Sequence, residues 1–170
     1  MRVHMWSVLG GLFSVSAAAN PSMGAFFQSK TVIIPKDALM ETGGQDAAES
    51  SPTALVVADG VGGYSKLGID SAPFARELTK VALEMHEIDP NVNSKNLVDF
   101  ACEEAKKYEG GATAALVRLK NGMKMESAVL GDAGYMIWEV AEADKLKLKY
   151  KSPSYQKAFN MPYQCGTNQD

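Results

Sequence analysis

The sequence is poor in the residues that build disulfide frameworks and zinc sites. It has two cysteines, Cys102 and Cys165, which lie far apart, and two histidines, His4 and His86, without the spacing of metal ligands. Cysteines placed in this way predict reduced, incidental thiols and favour an intracellular location. Isolated histidines are typical of surface or packing positions, so a zinc site is not expected.

The sequence also lacks an excess of positive charge and a hydrophobic run of membrane-spanning length. Its formal net charge is −3, with 17 Lys and Arg against 20 Asp and Glu. A chain without a basic patch is a poor partner for nucleic acid. The uncharged run from Met5 to Ala19 is shorter than the ~20 residues of a spanning helix, so stable membrane insertion is not expected. The motifs of phosphate loops, dinucleotide folds and nucleophile elbows are missing as well.

The uncharged run at the N-terminus leaves three interpretations open. Arg2 before the run and the small residues at 16–19 are typical of a secretory signal. The lack of an acid before Asp37 fits a leader directed to an organelle equally well. The third interpretation is a first strand of small residues. Residues 1–20 are therefore expected to be a leader or a first strand, and residues 21–170 a single domain.

Patterns of apolar residues predict an α+β domain with antiparallel strands. Short buried strands are expected at Thr31–Ile34 and Thr53–Ala58. Two helices follow. The first is expected to be capped by Asp70 or Ser71 and to have its last apolar position at Met85. The second is expected to be capped by Ser94 and to have its last apolar position at Tyr108. A hairpin around Asn121-Gly122 and a further antiparallel meander complete the pattern. Helices between runs of such strands favour a layered domain over a βαβ array.

Three aspartates stand where a strand meets a glycine-rich turn. Asp59 is followed by Gly60 and two more glycines, Asp132 lies between two glycine positions, and Asp46 follows Gly43-Gly44. Carboxylates at strand ends, with glycines that allow close approach, suit hard divalent cations, which prefer oxygen ligands. The Gly60 carbonyl is a candidate further ligand. Because an Asp-Gly pair after a strand is more often only a turn, the pattern alone leaves both readings open.

Five segments occur in a fixed order between about Ile33 and Gln164. They are TGGQDA, ADGVGG with the following GID and FAREL, GGATAALVRL, AVLGDAGYMI and KSPSYQKAFNMPYQ. Together they resemble the hallmark segments of the PP2C class of metal-dependent protein serine/threonine phosphatases, and in particular its PTC7-like branch. The order of the five matches is far more specific than any one of them.

The resemblance implies a layered α-β-β-α sandwich in which two antiparallel sheets are flanked by helices. It implies a centre of two Mg²⁺ or Mn²⁺ ions, bridged by Asp59, with the Gly60 carbonyl as a further ligand. Asp46 would orient water beside the centre, and Asp132 is linked in some members to a third ion. The implied reaction is hydrolysis of phosphoserine and phosphothreonine in proteins by a metal-activated water, without a covalent intermediate. Members of the branch often reside in mitochondria or plastids.

The sequence departs from the family pattern in two places. Gln45 stands where the family has an acid, and a neutral amide is expected to weaken metal binding. The family's downstream Asp-Gly-x-x-Asp-Asn element does not occur before Asp170, itself expected to be an ordinary loop acid. Residues 21–170 are therefore expected to be the N-terminal portion of a phosphatase domain, incomplete at its C-terminus. A truncated or catalytically inactive phosphatase-like binding module and a purely structural domain stay open as alternatives.

The last of the five segments also contains residues to which no physical role can be assigned from the sequence, namely Phe159, Asn160, Pro162 and Tyr163.

Overall fold

The protein is described by a computed structural model that covers residues 2–6, 12–20, 24–36, 39, 41–121, 124–140 and 145–167. The strands are β1 Arg2–Trp6, β2 Leu12–Asn20, β3 Gly24–Lys30, β4 Ala47–Ser50, β5 Ala54–Gly60, β6 Gly111–Lys120, β7 Lys124–Leu130, β8 Gly134–Val140, β9 Leu146–Lys151, β10 Gln156–Ala158, β11 Met161–Pro162 and β12 Cys165–Gly166. The helices are α1 Ala72–Ile88, α2 Ser94–Ala105 and a short 3₁₀ helix, Gly62–Leu67. Within these ranges no helix is long and apolar enough to span a membrane.

In the described residues, two large antiparallel sheets and one layer of helices build the molecule, and β10 and β11 form a separate two-stranded sheet. The first sheet has the strand order β3-β2-β1-β8-β9, and the second has the order β12-β6-β5-β4, with β7 also paired to β6. Helices α1 and α2 pack on one face of the second sheet, and the first sheet covers its other face. This arrangement confirms the predicted α+β class with layered antiparallel sheets.

Strand β5 lies in the middle of the layers and is buried along its whole length. Ala54, Val56 and Ala58 belong to the apolar cluster under the helices, whereas Leu55 and Val57 belong to the cluster between the sheets. Because successive side chains of a strand point to opposite faces, a strand covered on both faces is apolar at every position. The strand predicted for this segment is confirmed.

The two predicted helices are present, and one cap is corrected. Ser71 is the residue before α1, and the Asp70 side chain accepts a hydrogen bond from the Ala72 amide at 3.1 Å. In α2 the cap is Asn93 rather than Ser94, because the Asn93 Oδ1 accepts a hydrogen bond from the Asn96 amide at 2.9 Å. An Asn at this position satisfies one of the amides that a helix start leaves unpaired.

The predicted end of the second apolar stripe is also wrong. Helix α2 ends at Ala105, and Tyr108 lies beyond it with an exposed side chain. The chain turns there, since the Tyr108 amide donates to the Ala105 carbonyl at 3.0 Å. The residues of the stripe inside the helix are buried as expected, including Leu97, Val98 and Ala101.

The strand predicted at Thr31–Ile34 is wrong. The strand of this region is β3, which ends at Lys30, and Val32 and Ile34 are exposed. Only Ile33 packs in part against the cluster between the sheets. The apolar residues 32–34 therefore belong to a connecting segment in which Ile33 contacts the core and Val32 and Ile34 face solvent.

The predicted meander after the helices holds for two hairpins but not for their connection. Strands β6 and β7 pair with each other, and so do β8 and β9. The chain crosses from the second sheet to the first between β7 and β8, at Gly131, whose φ is +79°. Lys120 pairs with Lys124, so three positions, instead of two, lie between the paired ends of β6 and β7. The predicted two-residue turn is therefore wrong, and Gly122 lies outside the described residues.

The two cysteines form a disulfide, which overturns the prediction of reduced, incidental thiols. Cys102 of α2 is bonded to Cys165 of β12, with their Cα atoms 6.0 Å apart and 63 positions apart in the chain. Strand β12 in turn pairs with the start of β6. The bond fastens the segment that follows β11 to the helical layer. The location of the chain in the cell stays a prediction.

The N-terminal strands belong to the first sheet. Strand β1 pairs with β2 and with β8, and β2 pairs with β3. The division of the chain into residues 1–20 and 21–170 stays a prediction, because strand pairing says nothing about processing. The side chain of His4 lies outside the described part of the structure. His86 is buried, with 3% of its surface exposed. Of the surface and packing positions that were expected for the histidines, it therefore occupies a packing position.

Candidate functional site

The end of β5 places Asp59 at a cleft of about 760 Å³. Asp59 pairs in register with Thr113 on β6, so both side chains are held by the buried centre of the second sheet. The cleft is lined by Lys36, Asp59, Gly60, Val61, Gly62, Gly63, Thr113, Asp132, Lys157, Asn160, Met161, Pro162, Tyr163 and Gln164. The end of the strand thus forms the floor, and the short 3₁₀ helix and the β10–β11 hairpin contribute to the walls.

Asp59 is 8% exposed, and the pKa of its carboxyl is far above the ordinary value for an aspartate. Burial raises its pKa to about 7, and the negative charges of Asp46 and Asp132 add to the increase. A side-chain hydrogen bond with Asp46 acts in the same direction, whereas the positive charge of Lys36 lowers the pKa. Two carboxyl groups in such a pair share a proton unless a cation neutralises them. The site therefore favours bound positive charge.

A glycine at position 60 allows the loop that carries Asp46 to reach Asp59. A Cβ atom at Gly60 would overlap the main-chain oxygen of Gln45. Gly44, with φ +82°, shapes the turn that leads into this contact. Any side chain at position 60 would push the two acids apart, so the glycine has a spatial cause beyond turning the chain.

Gln45, which replaces the family's acid, is buried and donates a hydrogen bond from Nε2 to Asp70 Oδ1 at 3.1 Å. Its side chain thereby links the Asp46 loop to the residue that caps α1. A carboxylate at position 45 would face Asp70 with a like charge. The expectation that this departure weakens metal binding stays a prediction.

Asp132 reaches the same cleft from the crossing between β7 and β8. Burial raises the pKa of its half-buried carboxyl, and Gln156 Nε2 donates a hydrogen bond to Oδ2 at 3.3 Å. A Cβ atom at the neighbouring Gly131 would overlap the Tyr163 carbonyl. The crossing and the segment around Tyr163 are therefore packed directly on each other.

The donor set fits a hard divalent cation, although it does not form a closed cage. Among the described residues no three Asp, Glu, His or Cys side chains converge tightly enough to hold a metal. Asp46 and Asp59 do converge, and the buried Thr113 Oγ1 on the cleft floor has no hydrogen-bond partner among those residues. An unpaired buried hydroxyl beside a carboxylate pair suits a cation that keeps part of its water shell, as Mg²⁺ and Mn²⁺ do.

The structure thus brings together the predicted residues: Asp46 lines a small pocket with Asp59 and Gly60, and the latter two also line the main cleft with Asp132. Asp170 lies outside the described residues. Sequence reasoning missed Lys36 and Lys157, which line the cleft but are exposed lysines without periodicity or motif. Their only sequence signal is that they lie inside or just before segments that carry the family resemblance.

Comparisons with known proteins agree with the segments described above. No protein-family model matches the chain. The chain is 35% identical to "Probable protein phosphatase 2C 55" of Arabidopsis thaliana over 76% of its own length and 27% of that protein. It is 36% identical to "Protein phosphatase PTC7 homolog fig" of Drosophila mojavensis over 71% of its length and 41% of that protein.

A solved structure shares the fold. The photosystem II phosphatase PBCP superimposes with a TM-score of 0.68 at 24% identity, over 79% of this chain and 53% of that one. At this identity the likeness shows the fold alone. The chain spans less than half the length of the curated relatives described here.

Proposed function

Because this chain belongs to the protein phosphatase 2C family, with PTC7 homologues among its relatives, we propose that it is a metal-dependent protein serine/threonine phosphatase. Its substrates would be proteins that carry phosphoserine or phosphothreonine. The observation that carries the proposal is the buried Asp59 carboxyl, which lies beside Asp46 at the floor of an open cleft with a pKa raised to about 7. Two neighbouring acids, one of them buried, repel each other when both are ionised, and a bound cation removes this repulsion. Such a pair does not stabilise the core by itself.

Three groups would hold Mg²⁺ or Mn²⁺ in this site: the carboxylates of Asp59 and Asp46 and the carbonyl of Gly60. Asp132 would contribute from the edge of the cleft. When bound, the cations would supply an activated water and positive charge for the phosphoryl oxygens. This distribution follows the chemistry of the donors, since carboxylate and carbonyl oxygens are the ligands that both ions prefer.

The protein's own contribution is to position groups and to supply charge. Strand β5 fixes Asp59, and the hydrogen bond that the protonated Asp59 carboxyl donates to Asp46 holds the two acids together until a cation replaces the proton. Lys36 and Lys157 line the cleft and offer positive charge to a phosphate dianion. The unpaired Thr113 hydroxyl can donate a hydrogen bond on the cleft floor.

The test is the substitution Asp59→Asn, measured as phosphate released from a phosphothreonine peptide in the presence of Mn²⁺. We expect a loss of at least about a hundredfold, because the amide removes a charged ligand from the floor of the cleft. Asp99→Asn, on the exposed face of α2, is the matched control and should retain full activity. Calorimetry should show weaker Mn²⁺ binding for Asp59→Asn only. Unchanged hydrolysis by Asp59→Asn would remove this residue from the reaction.

A second candidate is a phosphatase-like module that binds phosphoproteins without hydrolysing them. The absence of a three-ligand cluster among the described residues favours it. The same experiment separates the two candidates, because a module would bind the peptide and release no phosphate at any Mn²⁺ concentration. Phosphate release that depends on Mn²⁺ and on Asp59 would contradict the module.

A further inference from the structure

The hairpin of β10 and β11 forms one wall of the cleft and exposes apolar side chains. Phe159 at its tip is 97% exposed, and Met161 on β11 is 58% exposed. Asn160 completes the tight turn with φ +57°. Phe159 contributes nothing to the core, and together with Met161 and the half-exposed Tyr163 it gives this side of the cleft an apolar surface; exposed apolar patches of this kind mark binding sites.

The base of the hairpin is held firmly, so the tip is presented in a defined place. The Tyr155 amide donates to the Gly131 carbonyl at 2.7 Å, and the Tyr163 amide donates to the Tyr155 carbonyl at 3.1 Å. Directly after the hairpin, Cys165 is bonded to Cys102 and β12 pairs with β6. Because the backbone of the hairpin is already anchored, a partner that binds at its tip orders little more than the side chains there, which limits the loss of conformational entropy.

Positive charge accompanies the apolar tip. Lys157 on β10 lies 5.7 Å from the centre of the Tyr163 ring and lines the cleft, as does Lys36. Among the described residues neither lysine forms an ion pair with a carboxylate. The wall therefore combines an apolar surface with positive charge that is available to a ligand in the cleft.

We propose that this hairpin, residues 156–162, docks the polypeptide of the substrate and selects phosphorylated segments with an apolar residue next to the phosphorylated one. The inference rests on the proposed function, since it takes the cleft with Asp59 as the place of the phosphoryl group. Lys157 would face the phosphate, and Phe159 and Met161 would cover the apolar neighbour. Large aromatic side chains in such positions carry much of the affinity of an interface.

The test uses two fluorescent peptides that carry a phosphonate analogue of phosphothreonine, which is not hydrolysed. The peptides differ only in the neighbours of the phosphonate, which are Leu in one and Gly in the other. We expect the protein to prefer the Leu peptide in an anisotropy titration and Phe159→Ser to weaken its binding about tenfold, without affecting the Gly peptide. Phe100→Ser, an exposed phenylalanine on α2, is the matched control and should bind like the unmodified protein.

The outcomes separate this inference from the proposed hydrolysis. Preference for the Leu peptide that depends on Phe159, without any phosphate release from a true phosphopeptide, would sustain docking and contradict hydrolysis. Hydrolysis with equal binding of both peptides, or binding unaffected by Phe159→Ser, would overturn docking alone. A dimer that sedimentation detects and Phe159→Ser dissociates would also overturn it, because the hairpin would then serve contact between copies.

Discussion

Arg118 on β6 is fully buried. Its guanidinium forms an ion pair with Glu126, and its N–H groups donate hydrogen bonds to the residues around it. Its Nη2 and Nε donate to Glu126 Oε2 at 2.7 and 3.2 Å, and the Val92 carbonyl also accepts from Nη2. Nη1 lies 3.4 Å from His86 Nδ1. Since the guanidinium can only donate, Nδ1 accepts, and the proton of the neutral ring lies on Nε2, which faces Thr53 Oγ1 at 3.0 Å. One arginine thereby links β6 and β7 to α1 and the loop before α2.

This network predicts a loss of stability in mild acid. Burial, and then the charge of Arg118, lower the pKa of His86 below its ordinary 6.5. The unfolded chain therefore takes up the proton first, and the free energy of unfolding falls as the pH drops below about 6.5. Urea unfolding at a series of pH values should show that His86→Gln flattens this dependence. An identical pH dependence in the two proteins would contradict this expectation, because it would show that His86 has the same pKa in the folded and unfolded states.

The site illustrates which residues a sequence can reveal and which it cannot. Asp59 and Gly60 could be predicted because a buried strand that runs into clustered glycines is a local signal. Lys36 and Lys157 could not, because an exposed lysine carries no periodicity and gains its meaning only from the cleft that other segments form. The exposure of Phe159 could not be predicted either, because an apolar residue between two very short strands has no periodicity that assigns it to the core or to solvent.

At the scale of elements, helices and hairpins could be predicted from local patterns, although the cap and end of α2 and the length of the β6–β7 turn could not, and arrangements that depend on packing were missed. Helix α1 and the β6–β7 hairpin follow from spacing within one segment. The crossing of the chain from β7 to β8 depends on which sheet has room for the strand, which no local period encodes. The disulfide was missed for the same reason, since α2 and β12 meet only in the folded chain.

Removal of the disulfide should weaken both the fold and the wall of the cleft. The loop that it closes spans 63 positions, and the chain-entropy model gives about 4 kcal/mol for a loop of that length. We expect the double variant Cys102→Ala, Cys165→Ala to unfold at a lower Tm in calorimetry. A dithiol reductant should lower the Tm of the unmodified protein and leave the double variant unaffected. A Tm that reduction does not change would show that the bond adds nothing to stability.

At the scale of the whole molecule, the helices cover only one side of the two sheets in the described residues. On the first sheet, edge strand β9 carries Leu146, Leu148 and Tyr150, each about 44% exposed, and alternates them with lysines. Lysines on an edge strand oppose pairing with another sheet. The first sheet is thus the less covered half, and its stability depends on its internal pairing.

The N-terminal strands should therefore be needed for folding. Deletion of residues 1–20 removes β1 and β2, which join β3 to β8. We expect the shortened chain to have a lower Tm and to aggregate, because the edge of β8 becomes unpaired. Light scattering during a thermal ramp measures both effects, with the chain lacking only Met1 as the control. A shortened chain as stable and soluble as the control would support the alternative that the segment is a removable leader.

The two-sided burial of β5 has a consequence for how this protein can diversify. The acid at the end of that strand takes its position from the core, whereas the lysines and the aromatic tip sit on segments joined to the core at a few anchors. Substitutions in those segments can retune what enters the cleft while the floor keeps its geometry. Under the function proposed above, reactivity and selectivity would be carried by separate parts of the chain, free to evolve at different rates.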